Sequence, residues 1–211
     1  MTADGVSPGG TGSSPVAVVL ASRNEGKLVE LRRILGPDFD LRPLPVEAPE
    51  VDETGATFEE NALLKAHSAA RATGLPAVAD DSGLAVDALN GMPGVLSARW
   101  SGRHGDDEAN LDLVLGQVAG VPEERLGAAF VCAAAIALPD GREHVVRGEI
   151  RGRLIRGRRG ENGFGYDPIF VPDGSDRTTA EMDPATKDAI SHRGRAFRAL
   201  AAVVPEFLTG A

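Results

Sequence analysis

A short apolar run near the start of the chain is followed at once by a polar loop and an amphipathic helix, and this order most constrains the fold. Residues 16–21 read VAVVLA, which favours a strand buried on both faces. The polar segment SRNEGK comes next, and apolar residues from Leu28 to Leu35 then mark one face of a helix that ends at Gly36. Strand, polar loop and helix in this order are typical of α/β proteins with a ligand at the turn.

The rest of the chain continues to alternate strand and helix patterns. A capping box, Thr57-x-x-Glu60, opens one helix, and a turn at residues 139–141 joins two long strands as a hairpin. We predict strands at residues 39–44, 77–79, 84–89, 127–138 and 144–155 and within 164–174, and helices at 57–72, 106–118 and 191–208. These patterns predict an α/β protein.

Composition narrows the class of protein further. Residues 1–15 are rich in Gly, Ser, Thr and Pro, so we expect a flexible N-terminal extension before one folded unit at residues 16–211. No apolar run approaches the roughly 20 residues of a membrane span, and no secretory signal is visible. The single cysteine, Cys132, indicates a reducing compartment, which predicts the cytoplasm. A net charge of −9 argues against a general nucleic-acid or anionic-membrane binder.

The loop between the first strand and the first helix is a candidate phosphate site. Backbone N–H groups at a helix start favour an anion, and Asn24 and Lys27 add side-chain donors. The Walker A spacing is absent, so this reading depends on position alone. A capped turn with a surface lysine is the plain structural alternative.

Two adjacent carboxylates, Asp80 and Asp81, follow the predicted strand at residues 77–79. Neighbouring side chains of an extended chain point in opposite directions, so only one of the two is expected to face a given site. Carboxylates suit Mg²⁺, which often takes one or two of them with substrate phosphates. Asn61 and Lys65 share a helix face, and Glu53 is a candidate second acid. A plain turn and a solvated helix face are the structural alternatives.

Two later segments carry groups suited to a planar base. Glycines on both sides of Phe164 leave its ring sterically open for stacking, and Asp167 has oxygens that accept from a base edge. A turn whose aromatic residues fold into the core stays open as an alternative. His192 and Arg193 supply donors for an oxo group near the start of the last helix. Together the segments hold the groups that a nucleoside triphosphate site needs.

Five blocks of the sequence, in order, resemble the non-canonical purine nucleoside triphosphate pyrophosphatases. The blocks are LASRNEGKLVEL, TFEENALLKA, ADDSGLAVDALNGMPGVLSARWSG, GFGYDPIF and KDAISHRGRAF, and the match runs from Val16 to about Leu208. The resemblance implies hydrolysis of ITP, dITP and XTP to the monophosphate and pyrophosphate, which keeps deaminated purines out of DNA and RNA. It also implies Mg²⁺, a homodimer, and an elongated mixed sheet flanked by helices, in two lobes with the active site in the cleft between them.

The resemblance also implies roles for particular residues. Asp81 matches the catalytic base, and Glu53 and Asp81 match the metal ligands. The matched substrate-binding residues are Ser22, Arg23, Asn24, Glu25, Gly26, Lys27, Asn61, Lys65, Ser82, Phe164, Gly165, Tyr166, Asp167, Lys187, His192 and Arg193. At Arg23 some relatives carry a small residue instead.

The hypothesis for the reaction is that a water activated by a carboxylate attacks the α-phosphorus, and that lysines and Mg²⁺ stabilise the departing pyrophosphate. Two alternatives remain at this point: a Maf-type nucleotide pyrophosphatase with other substrates, and a nucleotide-binding module without turnover. A nucleic-acid binder would have to use the arginines at 147, 151, 153, 156, 158 and 159, which are more often a solvated face on an acidic chain.

Overall fold

In the computed structural model, six strands form one mixed sheet in the order β2-β1-β3-β4-β5-β6. The strands are β1 (Val16–Leu20), β2 (Phe39–Pro43), β3 (Ala77–Val86), β4 (Gly127–Ala137), β5 (Glu143–Leu154) and β6 (Phe170–Pro172). The pairs β1–β2 and β1–β3 are parallel, and every later pair is antiparallel. The structure describes residues 15–23 and 25–209, so residues 1–14 of the predicted extension, and Asn24, lie outside it.

The described residues form five α-helices around the sheet: α1 (Glu25–Leu35), α2 (Phe58–Thr73), α3 (Asp107–Gln117), α4 (Pro184–Ile190) and α5 (His192–Thr209). Helices α1 and α5 pack on one face, α2 packs on the other, and α3 packs beside the far ends of β3, β4 and β5. This arrangement confirms the mixed sheet flanked by helices, whereas the division into two lobes stays a prediction. Within the described ranges, no helix has the length and apolarity needed to cross a membrane.

Small side chains let α2 lie close to the sheet. Ala62 and Ala66 on α2 pack in one buried cluster with Ala133 and Ala135 of β4. The predicted cap is present in part: the Thr57 hydroxyl accepts from the Glu60 amide at 3.1 Å. The Glu60 carboxylate accepts from the Ala56 amide at 2.6 Å, one residue before the position that a regular capping box uses. The helix that carries Asn61 and Lys65 is therefore held firmly at its start.

Strand β3 corrects the sequence interpretation of the two aspartates. The prediction of two separate strands at 77–79 and 84–89 is wrong, because one strand of ten residues runs from Ala77 to Val86. Asp80 and Asp81 lie inside it and pair with Ala134 and Ala133 of β4. Charged side chains are tolerated here because each finds cationic partners, described below, on its own side of the strand.

The helix predicted at 191–208 is confirmed as α5, and a short helix that was not predicted, α4, precedes it. Two helices, α4 and α5, meet at Ser191, whose backbone is extended with φ −62° and ψ 153°. The Ser191 hydroxyl accepts from the Gly194 amide at 2.9 Å, as an N-cap residue does. This break directs the start of α5, with His192 and Arg193, toward the sheet.

Gly148 of β5 permits that approach. A Cβ atom at this position would lie 2.2 Å from the carbonyl oxygen of His192 and 2.5 Å from the amide nitrogen of Ala196. We expect Gly148→Ala to lower the free energy of unfolding by about 1–3 kcal/mol, since backbone atoms of α5 would have to move. Urea unfolding measures this change. The control is Gly116→Ala on the exposed side of α3, where an added Cβ meets nothing within 4 Å and stability should rise slightly. A Gly148→Ala protein as stable as the unmodified chain would contradict this packing.

Five of the six arginines of β5 and the loop that follows it contact groups of the protein itself. Their partners are Glu59 for Arg147, Asp87 for Arg151, the Val118 and Ala119 carbonyls for Arg156, Asp112 for Arg158 and the Asp176 carbonyl for Arg159. These five side chains connect β5 and its loop to α2, to α3 and to neighbouring turns. The cluster therefore has a structural role.

Candidate active site

The edge of β3 that faces β1 is open beyond Val78, and the two aspartates lie at this open edge. Strand β1 ends at Leu20, and its pairing with β3 covers only Ala77 and Val78. Strand β3 continues to Val86 with β4 on its other side. Side chains from both faces of β3 can therefore meet at the carboxyl end of β1, which is where parallel sheets commonly place ligands.

On the α2 side of β3, two carboxylates converge on one ammonium group. The Lys65 Nζ atom lies 2.6 Å from Glu53 Oε1 and 3.6 Å from Asp81 Oδ1. The Asn61 amide donates to Asp81 Oδ2 at 3.0 Å and accepts from the Gly55 amide at 2.8 Å. Asn61 and Lys65 thus share one helix face, as the sequence predicts, and the structure shows that both side chains reach Asp81.

Arg99 is a member of this group that sequence reasoning missed. Its guanidinium donates to Glu53 Oε2 at 3.3 Å and to the Glu53 carbonyl oxygen at 3.1 Å. Arg99 lies in the block SARWSG, which carried the resemblance without any assigned role. Arg99 and Glu53 are 46 positions apart in the chain, and no local pattern spans such a distance.

The surroundings give the two carboxylates different pKa values. Burial, with help from Glu53 and Asp80, raises the pKa of Asp81, although Lys65 and the Asn61 amide oppose this. Burial also favours a higher pKa for Glu53, but Lys65 and Arg99 prevail and lower it. Glu53 is therefore the more readily ionised member of the pair, and Asp81 is the better proton acceptor.

On the other side of β3, Asp80 is fully buried between two cations. Its carboxylate accepts from Lys27 Nζ at 3.0 Å and from Arg193 Nε at 3.2 Å. Arg193 also donates to Glu30 at 2.9 Å and to the Ser82 hydroxyl at 3.1 Å. Burial alone would raise the pKa of Asp80, but Lys27 and Arg193 hold it well below its usual range. Asp80 and Glu30 are thus further site neighbours that were absent from the predicted set.

The loop between β5 and β6 presents one exposed aromatic ring. The Phe164 side chain is 58% exposed, with Lys187 Nζ 5.3 Å and the Arg193 guanidinium carbon 5.7 Å from the ring centroid. Asp167 is buried, and its carboxylate accepts from the Phe164 amide at 2.9 Å, from Lys187 at 2.5 Å and from Thr179 at 2.7 Å. The open ring agrees with the sequence prediction. The Asp167 carboxylate, in contrast, accepts its hydrogen bonds from groups of the protein itself.

Tyr166 lies behind this ring, in the core beside α3. Its side chain is buried and its hydroxyl donates to the Ser97 carbonyl oxygen at 2.9 Å. Gly165 precedes it with φ +61°, a backbone conformation that favours glycine. The structure thus places Phe164 and Tyr166 on opposite sides of the loop, so their predicted contacts with substrate are not equivalent.

His192 is mostly enclosed at the start of α5. Its ring stacks on Phe130 with centroids 5.0 Å apart and planes inclined by 14°. Burial lowers the pKa of His192 well below its usual range, and the positive charges of Arg193 and Lys187 lower it further. His192 also lines a small cavity with Phe164, Lys187 and Arg193. A neutral imidazole therefore faces this cavity at physiological pH.

We expect the His192 ring to remain neutral between pH 6 and pH 8. An ordinary histidine, with a pKa near 6.5, would change from mostly protonated to mostly neutral across that range. Nitrogen-15 NMR of the histidine rings, assigned with His192→Gln, measures the protonation state directly. The stability consequence has a definite sign: the unfolded chain gains the proton first, so this contribution to stability is present above about pH 6.5 and is lost as the pH falls. A His192 resonance that titrates near pH 6.5 would contradict the enclosed position.

The turn between β1 and α1 lies between two clefts. Ser22 and Arg23 line one cleft with Lys65, and Gly26 and Lys27 line the other, of about 340 Å³, with Phe164 and Lys187 among its walls. Arg23 donates to Glu50 at 2.8 Å and to the Val46 carbonyl oxygen at 3.0 Å, which joins this turn to the loop after β2. Glu25 is the exposed first residue of α1. The predicted phosphate-binding segment thus reaches both sides of the site.

A family model described as the Ham1 family matches residues 18–203. The chain belongs to the Ham1 family. A dITP/XTP pyrophosphatase of Streptomyces coelicolor is 60% identical to it over 196 residues, covering 90% of this chain and 98% of that protein. A dITP/XTP pyrophosphatase of Frankia alni is 62% identical over 200 residues, covering 91% of this chain and 98% of that one.

Two solved structures share the fold. A HAM1 protein from Coxiella burnetii is similar with a TM-score of 0.84 and 42% identity, covering 90% of this chain and 99% of that chain. A nucleoside-triphosphatase / dITP/XTP pyrophosphatase from Mycobacterium abscessus has a TM-score of 0.74 and 58% identity, covering 90% of this chain and all of that chain. The Ham1 fold and the identity of the family thus agree with the resemblance seen in the sequence.

The donor set of this Ham1 chain suits a magnesium ion that arrives with a nucleotide. Among residues 15–23 and 25–209, no group of three or more His, Cys, Asp or Glu side chains is arranged to hold a metal. The Asp81–Glu53 pair offers hard oxygen ligands, and Mg²⁺ commonly combines one or two carboxylates with substrate phosphates and water. The residues present therefore fit Mg²⁺ with a triphosphate and do not fit a metal cage built wholly by the protein.

Proposed function

We propose that this Ham1-family chain hydrolyses the non-canonical purine nucleoside triphosphates ITP, dITP and XTP to the monophosphate and pyrophosphate. The observation that carries the proposal is the pair of carboxylates, Asp81 and Glu53, on Lys65 at the open edge of β3. The 60% identity to a dITP/XTP pyrophosphatase over nearly the whole of both chains supports it. The consequence for a cell is removal of deaminated purine nucleotides before they enter DNA or RNA.

Asp81 accepts the proton of the attacking water. Its raised pKa makes it the more basic of the two carboxylates. The water oxygen forms a bond to the α-phosphorus, and the bond from that phosphorus to the oxygen shared with the β-phosphate breaks. Lys65, Lys27 and Lys187 supply positive charge along the triphosphate and toward the departing pyrophosphate.

Mg²⁺ completes the proposed site, with Glu53 and Asp81 as its protein ligands. When bound, the ion neutralises phosphate charge and favours departure of pyrophosphate. Asn61 holds Asp81 through its amide at 3.0 Å, and Arg99 holds Glu53. Asn61 and Arg99 thus keep the two carboxylates in place, both for binding Mg²⁺ and for accepting the proton of the water.

Selection of the purine is proposed to depend on donors beside the Phe164 ring. The ring stacks on the base, and Arg193 with neutral His192 offers N–H groups to the 6-oxo oxygen of hypoxanthine or xanthine. Adenine has an amino group there, which would set donor against donor and cost about 1–3 kcal/mol for each unpaired buried group. ITP and XTP are thus preferred over ATP by roughly tenfold or more.

A substrate panel tests this function. Pyrophosphate release is measured with ITP, XTP, ATP and GTP at equal concentration, with Mg²⁺ and then with a chelator. We expect release from ITP and XTP at least about ten times faster than from ATP, and loss of release with the chelator. Equal release from ATP would contradict the purine contacts. Binding of ITP without release of pyrophosphate would favour the nucleotide-binding module. Hydrolysis of pyrimidine nucleotides would favour the Maf-type alternative. The match to the Ham1 family model already argues against that alternative.

The proposal extends to the state of the protein in the cell. A homodimer in the cytoplasm is implied by the resemblance, with the cleft between two lobes as the site of each subunit. Sedimentation equilibrium tests the dimer. A mass of about 44 kDa, twice that of the 21.9 kDa chain, is expected, and a mass of about 22 kDa would contradict it.

A further inference from the structure

The turn that carries Phe164 is held from two directions. Residues 163–165, named here the Phe164 turn, have φ +79° at Gly163 and +61° at Gly165. From within the loop, Asp167 accepts from the Phe164 amide at 2.9 Å. From outside it, the carboxylate of Asp107 accepts from the Gly165 amide at 3.0 Å. Two successive amides of the turn therefore donate to two different carboxylates.

Asp107 belongs to α3, and it lies 58 positions before Gly165 in the chain. It is the first residue of that helix, directly after the N-cap residue Asp106. Burial raises the pKa of the Tyr166 phenol, and the charge of Asp107 raises it further, as expected for groups that lie close together. Arg158, at the start of the same loop, donates to Asp112 of α3 at 2.6 Å. Helix α3 thus contacts the loop at two places, at Arg158 near its start and at the Phe164 turn.

The hydrogen bond to Gly165 matters because the Phe164 ring itself is little restrained by packing. The ring is 58% exposed, and the glycines on either side have no side chain to pack against the protein. Lys187 and Arg193 are the cations that the described part of the chain places over its face. The orientation of the ring is consequently set by the backbone of the turn, and therefore by the carboxylates that hold its amides.

We propose that Asp107 is a positioning residue for purine binding: by holding the Gly165 amide, it keeps the Phe164 ring directed to the face on which the base stacks. The inference rests on the proposed function, which it deepens. Asp107 touches neither the phosphates nor the reacting atoms. Its loss therefore weakens the base contact in the ground state and the transition state equally, which raises KM and leaves kcat unchanged.

Steady-state kinetics with ITP and calorimetric binding of two probes test the proposal. Asp107→Ala is expected to raise the KM for ITP about tenfold, the effect of losing one hydrogen bond to a charged acceptor. It should weaken binding of inosine monophosphate to the same extent and leave binding of inorganic pyrophosphate, which has no base, unchanged. Asp107→Asn keeps an acceptor oxygen and should recover part of the loss.

Two controls separate positioning from stability. Asp106→Ala removes the N-cap acceptor of the Ala109 amide, so it should lower the melting temperature and leave KM unchanged. In a Phe164→Ala background, Asp107→Ala should cause no further rise in KM, because the ring through which it acts is absent.

Three results would each overturn the proposal: unchanged KM in Asp107→Ala, equal weakening of inosine monophosphate and pyrophosphate, or an undiminished effect in the Phe164→Ala background. These three results bear on the proposal only if the unmodified chain releases pyrophosphate from ITP. An unmodified chain that releases none would refute the proposed function instead, so the two failures are distinguishable.

Discussion

Replacing Asp81 by asparagine is expected to lower kcat for ITP by about a thousandfold without loss of the fold. General-base catalysis contributes roughly 10²–10⁴ to a rate, and an amide cannot accept the proton. The carbonyl oxygen of the introduced amide can still accept from Asn61, so the contact that holds the side chain at 3.0 Å is kept. Pyrophosphate release measures the loss. The control is Asp140→Asn, because Asp140 is an exposed acid in a turn and its described hydrogen bonds are both with Arg142.

Thermal unfolding of Asp81→Asn distinguishes a catalytic carboxylate from a structural one. Because the pKa of Asp81 is raised in the folded protein, its contribution to stability is present at low pH and is lost as the pH rises through the folded pKa. Above the folded pKa the ionised carboxylate therefore works against folding, and there the Asp81→Asn variant should melt at the same temperature or higher. Near-normal turnover, or a large fall in melting temperature, would contradict the assignment.

Replacing Lys65 by glutamine should produce the second large loss, about 10²–10³ in kcat/KM for ITP. The ammonium group lies between Glu53 and Asp81, and its removal leaves two neighbouring carboxylates without their shared cation. Lys65→Arg keeps the charge and is the matched comparison, expected to retain more activity than Lys65→Gln. Equal activities of the two variants would show that the charge of Lys65 is unimportant.

The pH dependence of stability gives Lys65→Gln a second readout. Asp81, Asp80 and Glu53 outweigh the cost of burial and raise the pKa of Lys65. A raised lysine pKa means that its stabilising contribution is complete below the unfolded value of about 10.4 and disappears above the folded value. The Lys65→Gln variant should therefore be less stable than the unmodified chain at pH 7, with the difference shrinking above about pH 10.4. A difference that does not depend on pH would contradict the ion-pair account.

Local patterns predicted most of the elements of the fold. The run at residues 16–21 predicted β1, and the capping signal at Thr57 predicted the start of α2. Both depend on residues within a few positions of one another, so a single sequence contains what is needed. The face shared by Asn61 and Lys65 follows from the helical period in the same way.

Contacts between distant segments could not be predicted. Nothing near Asp80 in the sequence indicates that Arg193, 113 positions away, neutralises it and allows β3 to continue through two acids. The Glu53–Arg99 and Gly165–Asp107 hydrogen bonds likewise arise from how helices and loops pack together. Of the predicted site residues that the structure describes, most are thus brought into one region by packing, while Tyr166 lies in the core. The roles assigned to them individually stay predictions.

Hydrolysis of ITP in water enriched with oxygen-18 tests the central claim most directly. If water attacks the α-phosphorus, mass spectrometry will find the label in inosine monophosphate and none in pyrophosphate. Label in pyrophosphate would mean attack at the β-phosphorus, and release of inosine diphosphate with inorganic phosphate would mean a different reaction altogether. Either result would contradict the proposed reaction, because Asp81 is assigned to a water that attacks the α-phosphorus.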